Sequence, residues 1–181
     1  MTTSSDEARL IQRAQQGDRA AFAEIYERHQ PAVYRYIYYR VGDTPTAEDL
    51  TGAVFVRVVE KIDGFVYRGR PLLTWLYTIA RNAVIDYQRH SGQAVMLPID
   101  ERLVAEGEDV EGTVDRGLTQ ERLAAALTHL TEDQRQVILL KFIEEMSNEE
   151  TARVVGKSVG AVKALQHRAL AALQRVLQGE T

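Results

Sequence analysis

The chain has 181 residues, 45% of them hydrophobic, which is enough for one large packed domain or two small ones. It contains no cysteine, which excludes a disulfide framework, a thiolate metal site and a zinc finger, and fits a reducing compartment. No apolar run approaches the roughly 20 residues that span a bilayer, and the opening MTTSSDEAR has neither a basic leader nor an apolar export core. A soluble, cytoplasmic protein is expected. The formal net charge of -4 is unevenly placed: residues 1–91 carry 12 basic and 11 acidic side chains, residues 92–115 carry 1 and 7, and residues 116–181 carry 9 and 8. An acidic middle therefore hides a slightly positive remainder, and the total does not argue against a nucleic-acid partner.

The first part of the chain predicts four helices. Asp6 to Gln16 is a short amphipathic segment ended at Gly17, and Asp18 caps a longer one in which Phe22, Ile25, Tyr26, Val33, Tyr36 and Ile37 recur at helical spacing, with Pro31 as a candidate kink. After Gly42-Asp43-Thr44-Pro45 a third helix begins near Thr46. Its expected buried face is Leu50, Phe55, Val58, Val59 and Ile62, and Glu48, Asp49, Gly52 and Arg57 fall mostly on the other side. A loop from Asp63 to Arg70 leads to a fourth helix, from Pro71 to about Arg89. That helix should bury Leu72, Leu76, Ala80, Ala83 and Tyr87 and turn Thr74, Thr78, Arg81, Asn82 and Ile85 outward.

Helical periodicity fails from Ser91 to Asp115, where Gly and acids accumulate around Pro98, and the segment reads as a flexible linker. The fold expected is all-α, with two small helical domains at 1–90 and 118–181 joined by an acidic linker at 91–117. The second domain should hold helices at about Leu118–Leu130 and at Thr131–Phe142, the latter opened by the capping box Thr131-x-x-Gln134, followed by a further helical pair.

That pair, SNEETARVVGKSVGAVKALQHRALAALQRVL from Ser147 to Leu177, reads as a helix-turn-helix. Ser147 and Glu150 form a second capping box, Gly156 supplies the left-handed residue of the turn, and Ser158 caps the second helix. From Arg153 to Arg175 there are five basic residues and no acid. In such a motif the first helix braces the second so that side chains near its start reach base edges in the major groove. Val162, Leu165, Ala169, Leu173 and Val176 supply the buried side. Lys157, Ser158, Gly160, Ala161, Lys163, Ala164, His167 and Arg168 are the candidate DNA-binding positions. The small residues allow close approach, and Arg168 is suited to bidentate reading of guanine.

The order AFAEIYERHQPAVYRYIYYRVGD, AEDLTGAVFVRVVEKI, TWLYTIARNAVIDYQRH, an acidic linker, and LTEDQRQVILLKFIEEMSNEETARVVGKSVGAVKALQHRAL resembles an extracytoplasmic-function sigma factor of bacterial RNA polymerase, over about residues 5 to 177. The resemblance implies two DNA-reading domains, region two for the -10 promoter element and region four for the -35 element. It also implies docking on core RNA polymerase, through the clamp helices of the largest subunit and the flap, and an inhibitory anti-sigma partner. The clamp contact maps onto Glu48, Asp49, Leu50, Phe55, Val56 and Arg57. Capture of the unwound -10 strand maps onto Phe65, Tyr67, Arg68 and Arg70 of the loop with Arg81 and Asn82 of the next helix. The linker resembles connectors that thread polymerase channels; a plain solvated tether remains the other reading. Two positions depart from the family pattern: Gly52-Ala53, where many members carry Gln-Glu, and Ala164-Leu165, where Ser-Arg is frequent.

Two other classes stand beside this one. A stand-alone helix-turn-helix regulator would use its N-terminal helices to bind a ligand or dimerise. An enzyme would need a coherent site, but there is no Glu-x-x-His pair, no His-Glu-x-x-His helix and no phosphate-cradling glycine loop, and no cofactor is implied.

Overall fold

The computed structural model describes residues 4–91 and 120–179, and every element within them is helical. The chain forms two compact units, Met1–Arg89 and His90–Thr181. Apart from Ser91, the expected linker lies outside the described residues. No helix among the described residues is long and apolar enough to cross a membrane.

The first unit contains α1 (Ser4–Gln15), α2 (Arg19–Val41), α3 (Thr44–Lys61), a 3-10 turn at Ile62–Gly64, and α4 (Leu72–His90). Local chemistry sets the boundaries. Gly17 stands at φ 84 after α1, and Asp18 caps α2 by accepting from the Ala20 amide at 2.9 Å. Gly42 closes α2 at φ 74, a conformation that costs a residue with a Cβ about 1 kcal/mol or more. Asp43 then caps α3, accepting from the Thr46 amide at 3.0 Å. The Arg13 guanidinium holds the Asp18 carboxyl below the usual carboxylate range, and the Thr46 hydroxyl and amide do the same for Asp43.

The core of this unit is the inward stripe of each helix: Leu10 and Ile11, Ile25, Val33 and Ile37, Val54 and Val58, Leu72 and Leu76 are all buried. Tyr36 of α2 meets Tyr77 of α4 at 5.4 Å between ring centres, a pairing worth about 1 kcal/mol beyond its area. Two expectations are corrected: Val59, expected inside, is 55% exposed, and Thr74, expected outward, is buried. Tyr26, on the helical stripe of α2, is 47% exposed. Val59 sits at the edge of the predicted stripe, and the buried positions of α3 are Ala47, Thr51, Val54, Phe55 and Val58. Pro31 stands inside a continuous α2 on its exposed side.

The second unit contains α5 (Gln120–Leu127), α6 (Glu132–Ile138), a π turn at Leu139–Ile143, α7 (Asn148–Val155) and α8 (Val159–Leu177). Both predicted capping boxes form. Thr131 and Gln134 exchange two bonds at 3.2 Å, and Ser147 and Glu150 exchange bonds of 3.1 and 3.0 Å; such a cap contributes about 1 kcal/mol. Arg135 is buried and spends its guanidinium on the end of α5, donating to the Leu127 carbonyl at 2.9 Å and the Leu130 carbonyl at 3.4 Å, with Glu132 alongside at 3.5 Å. It thereby satisfies carbonyls that the helix terminus leaves open. The expected regular helix to Phe142 is shorter, because the chain widens into the π turn and reaches Glu145 at φ 54 before α7 begins.

Candidate nucleic-acid interface

Helix α8 is positioned from below by apolar packing: Val162, Ala169, Leu170, Ala172 and Leu173 are buried, and Leu165 and Val176 are half-buried at the margin. The turn before it is built as the sequence implies. Gly156 stands at φ 70, ψ 34, and the Ser158 hydroxyl accepts from the Ala161 amide at 3.1 Å. Gly160, Lys163 and His167 are exposed at i, i+3 and i+7, so they share one solvent face, with Ala161, Ala164 and Arg168 half-buried beside it. A Cβ at Gly160 would meet only the Ser158 hydroxyl, at 4.0 Å, so the fold itself does not demand glycine there. Lys157 is already engaged, with its ammonium 3.4 Å from the Asp133 carboxylate of α6.

In the first unit, the 62–70 loop and α4 enclose an open pocket of about 430 Å³ lined by Lys61, Gly64, Phe65, Val66, Arg68 and Trp75. Phe65 and Trp75 pack at 4.7 Å between ring centres with planes inclined by 37°. Trp75 is half-buried, so it is both a packing residue and a pocket wall. Two loop residues predicted for this site do not line it. Tyr67 turns toward α1, where its hydroxyl lies 2.8 Å from Ser4 Oγ and 3.2 Å from the Ser4 carbonyl. Arg70 is exposed outside the pocket. Along α4, Trp75, Asn82 and Arg89 recur at seven-residue intervals and share a face, with Asn82 and Arg89 exposed; Arg81 lies about 100° round the helix and is half-buried. The sequence reading therefore missed Lys61, Val66 and Trp75 as lining residues, and the aromatic pair flanking a basic loop was the available signal for Trp75.

A third surface runs along α3. Glu48, Asp49, Gly52, Ala53, Val56 and Val59 recur at three- and four-residue steps and are all exposed, with Val56 at 59%. Leu50 is half-buried. Phe55, which the family resemblance assigns to this surface, is corrected: it is buried with its ring edge-on to Tyr26 at 5.0 Å, on the core side of the helix where its spacing places it. Arg57 is half-buried, with its guanidinium 3.8 Å from the Asp86 carboxylate of α4.

The family model for sigma-70 region 2 matches residues 25–93, and that for sigma-70 region 4 matches residues 120–173. The chain is 42% identical over 178 residues to the ECF RNA polymerase sigma factor BldN of Streptomyces coelicolor, covering 96% of this chain and 67% of BldN. The chain belongs to the extracytoplasmic-function sigma factors. The solved structure of CnrH in complex with the cytosolic domain of CnrY matches this sigma factor at a TM-score of 0.73 and 27% identity, over 97% of this chain and 99% of CnrH. The sigma factor RpoE of Bartonella quintana, solved with the anti-sigma factor NepR, matches at a TM-score of 0.69 and 26% identity, over 88% and 98%. The protein is an alternative sigma factor that directs transcription, and the stand-alone regulator reading is not favoured.

Proposed function

We propose that this sigma factor recruits core RNA polymerase through the exposed ridge of α3, captures an unpaired base of the -10 strand in the Phe65–Trp75 pocket, and reads the -35 element with the exposed face of α8. Residues 1–90 act as the region-two domain, 118–181 as the region-four domain, and the acidic residues between them as the connector. On α3 the contact set is Glu48, Asp49, Leu50, Val56 and Val59, an acid-flanked apolar ridge that suits a basic, helical partner. In the pocket, Phe65 and Trp75 offer aromatic faces and Arg68 and Lys61 supply positive charge, the combination that holds an unstacked base and its phosphate. Asn82 and Arg89 continue that face along α4 and extend the track for the strand. On α8, Lys163 and His167 face the duplex, Gly160 lets the backbone approach closely, and Arg168 contacts it from the edge. Lys157 joins them by exchanging Asp133 for a phosphate.

The observation that carries this reading is the aromatic, basic pocket aligned on one helix face with Asn82, because a duplex reader has no need of a place for an extruded base. The chain supplies no bond-making chemistry; the polymerase does. Release from a soluble or membrane-tethered anti-sigma factor is the regulation proposed, on the strength of the NepR complex of the relative, and the site of action is the cytoplasm. Run-off transcription by purified bacterial core polymerase from the DNA upstream of the protein's own gene tests the proposal. Specific transcripts that require the protein, and that fall when Asn82 is changed to Ala, are the expected result. Transcripts unaffected by Asn82→Ala would remove α4 from the opened strand, and no co-elution with core polymerase would overturn the docking assignment.

A further inference from the structure

Helix α1 belongs to none of the three surfaces, yet its polar side chains converge on the loop that forms the pocket. Gln15, the last residue of α1, is half-buried, and its side-chain amide donates to the Ile62 carbonyl at 3.0 Å and to the Phe65 carbonyl at 2.8 Å. These two carbonyls bracket the 3-10 turn Ile62–Gly64, which is also closed by the Phe65 amide donating to Ile62 at 3.0 Å. At the other end of the loop, the Glu7 carboxylate accepts from the Leu72 amide at 3.0 Å, taking one of the donors that the first turn of α4 leaves open. Between them, the Tyr67 hydroxyl meets Ser4. The loop is thus fixed to α1 at its start, middle and end.

From this geometry we infer that α1 is a brace for the base-capturing loop, with Gln15 a positioning residue that sets the Phe65 backbone and hence the wall of the pocket. The inference rests on the proposed role of the pocket. Phe65 lies at φ -76, ψ 129, an unstrained extended conformation that many loop arrangements share. Those angles alone do not fix where the residue stands; its carbonyl, held by Gln15, and its amide, bonded to Ile62, fix the backbone from which its ring reaches Trp75. A loop held in the capturing conformation before the strand arrives loses less freedom on binding, which raises affinity without a new contact. Gln15 is suited to this because one amide group spans both carbonyls, and both of its bonds go to the loop backbone. Leu10, Ile11 and Ala14 carry the packing of α1, so the fold does not depend on Gln15.

The test uses holoenzyme and single-stranded non-template oligonucleotides of the mapped promoter, either intact or with one abasic site moved along the -10 element. Gln15→Met keeps the length and removes both donors. It should leave the affinity for core polymerase unchanged and weaken the intact oligonucleotide about tenfold, the effect of roughly one net hydrogen bond of pre-organisation. At the one abasic position where the wild type itself loses affinity, Gln15→Met should cost nothing further, since the captured base is already missing. Glu7→Met should weaken the same oligonucleotide, and Glu7→Gln, which keeps a carbonyl acceptor for the Leu72 amide, should restore binding. Equal losses for Gln15→Met on the intact and abasic strands would overturn the brace alone. A wild type insensitive to every abasic site would overturn the pocket reading beneath it.

Discussion

Replacing Val56 and Val59 together by Ser strips the apolar part of the α3 ridge without entering the core. The two side chains leave 59% and 55% of their surface in solvent, side by side on one helix face. Covered by a partner helix, each would remove about 90 Å² from water, about 4.5 kcal/mol for the pair at about 25 cal/mol/Å². Serine retains roughly half of that contact area, so the double variant should lose about 2 kcal/mol of docking, or about 30-fold in Kd for core polymerase. The fold should barely notice, because exposed substitutions of this kind stay within about 0.5 kcal/mol. Competition against labelled wild-type sigma factor for limiting core polymerase gives the ratio of affinities, with thermal unfolding as the control. Val66, 65% exposed on the pocket loop, serves as the comparison site, since Val66→Ser should leave core affinity unchanged. Equal competition by the folded double variant would refute the ridge as the docking surface, and an equal loss from Val66→Ser would refute its localisation to α3.

Lys163→Ala should weaken duplex binding across sequences and reduce the slope of log K against log salt by about 1, because one released counterion is lost; an unchanged slope would take Lys163 off the phosphates. Burial and the neighbouring Arg28 hold the His29 imidazole down to about 4 from 6.5. Between those values the unfolded chain binds a proton that the folded chain refuses, so this contribution is fully present above pH 6.5 and is lost as the pH falls toward 4, by at most about 3 kcal/mol. His29→Gln should flatten that part of the profile, and urea unfolding at pH 4.5 and 7 would show it; parallel losses in both proteins would assign the slope elsewhere. Glu145→Gly should raise the stability of the second unit by about 1 kcal/mol by relieving a left-handed conformation at φ 54, seen as a rise of several degrees in its unfolding midpoint, and a fall would show that the glutamate side chain outweighs the backbone cost.

Sequence by itself determined the features governed by neighbours in the chain. The capping pairs Thr131–Gln134 and Ser147–Glu150, the left-handed Gly156 and the acid-free run of α8 are local, because a cap bond or a turn angle depends only on residues a few positions apart. The order of the two matched regions was legible for the same reason: each motif is contiguous. What the tertiary structure decided are the matters of degree and of long range. Periodicity placed both Phe55 and Val59 inside; the fold buries Phe55 against Tyr26 of α2 and leaves Val59 in solvent, because a residue at the edge of an apolar stripe is buried or exposed by its neighbour's position. Tyr67 reads in sequence only as an aromatic residue of the loop, and folding alone brings its hydroxyl to Ser4, 63 positions away. Arg135 carried no visible role until the end of α5 came within reach of its guanidinium. The same holds for Gln15, one polar residue among many in sequence, which gains a function only because folding brings the carbonyls of Ile62 and Phe65 to a single side-chain amide.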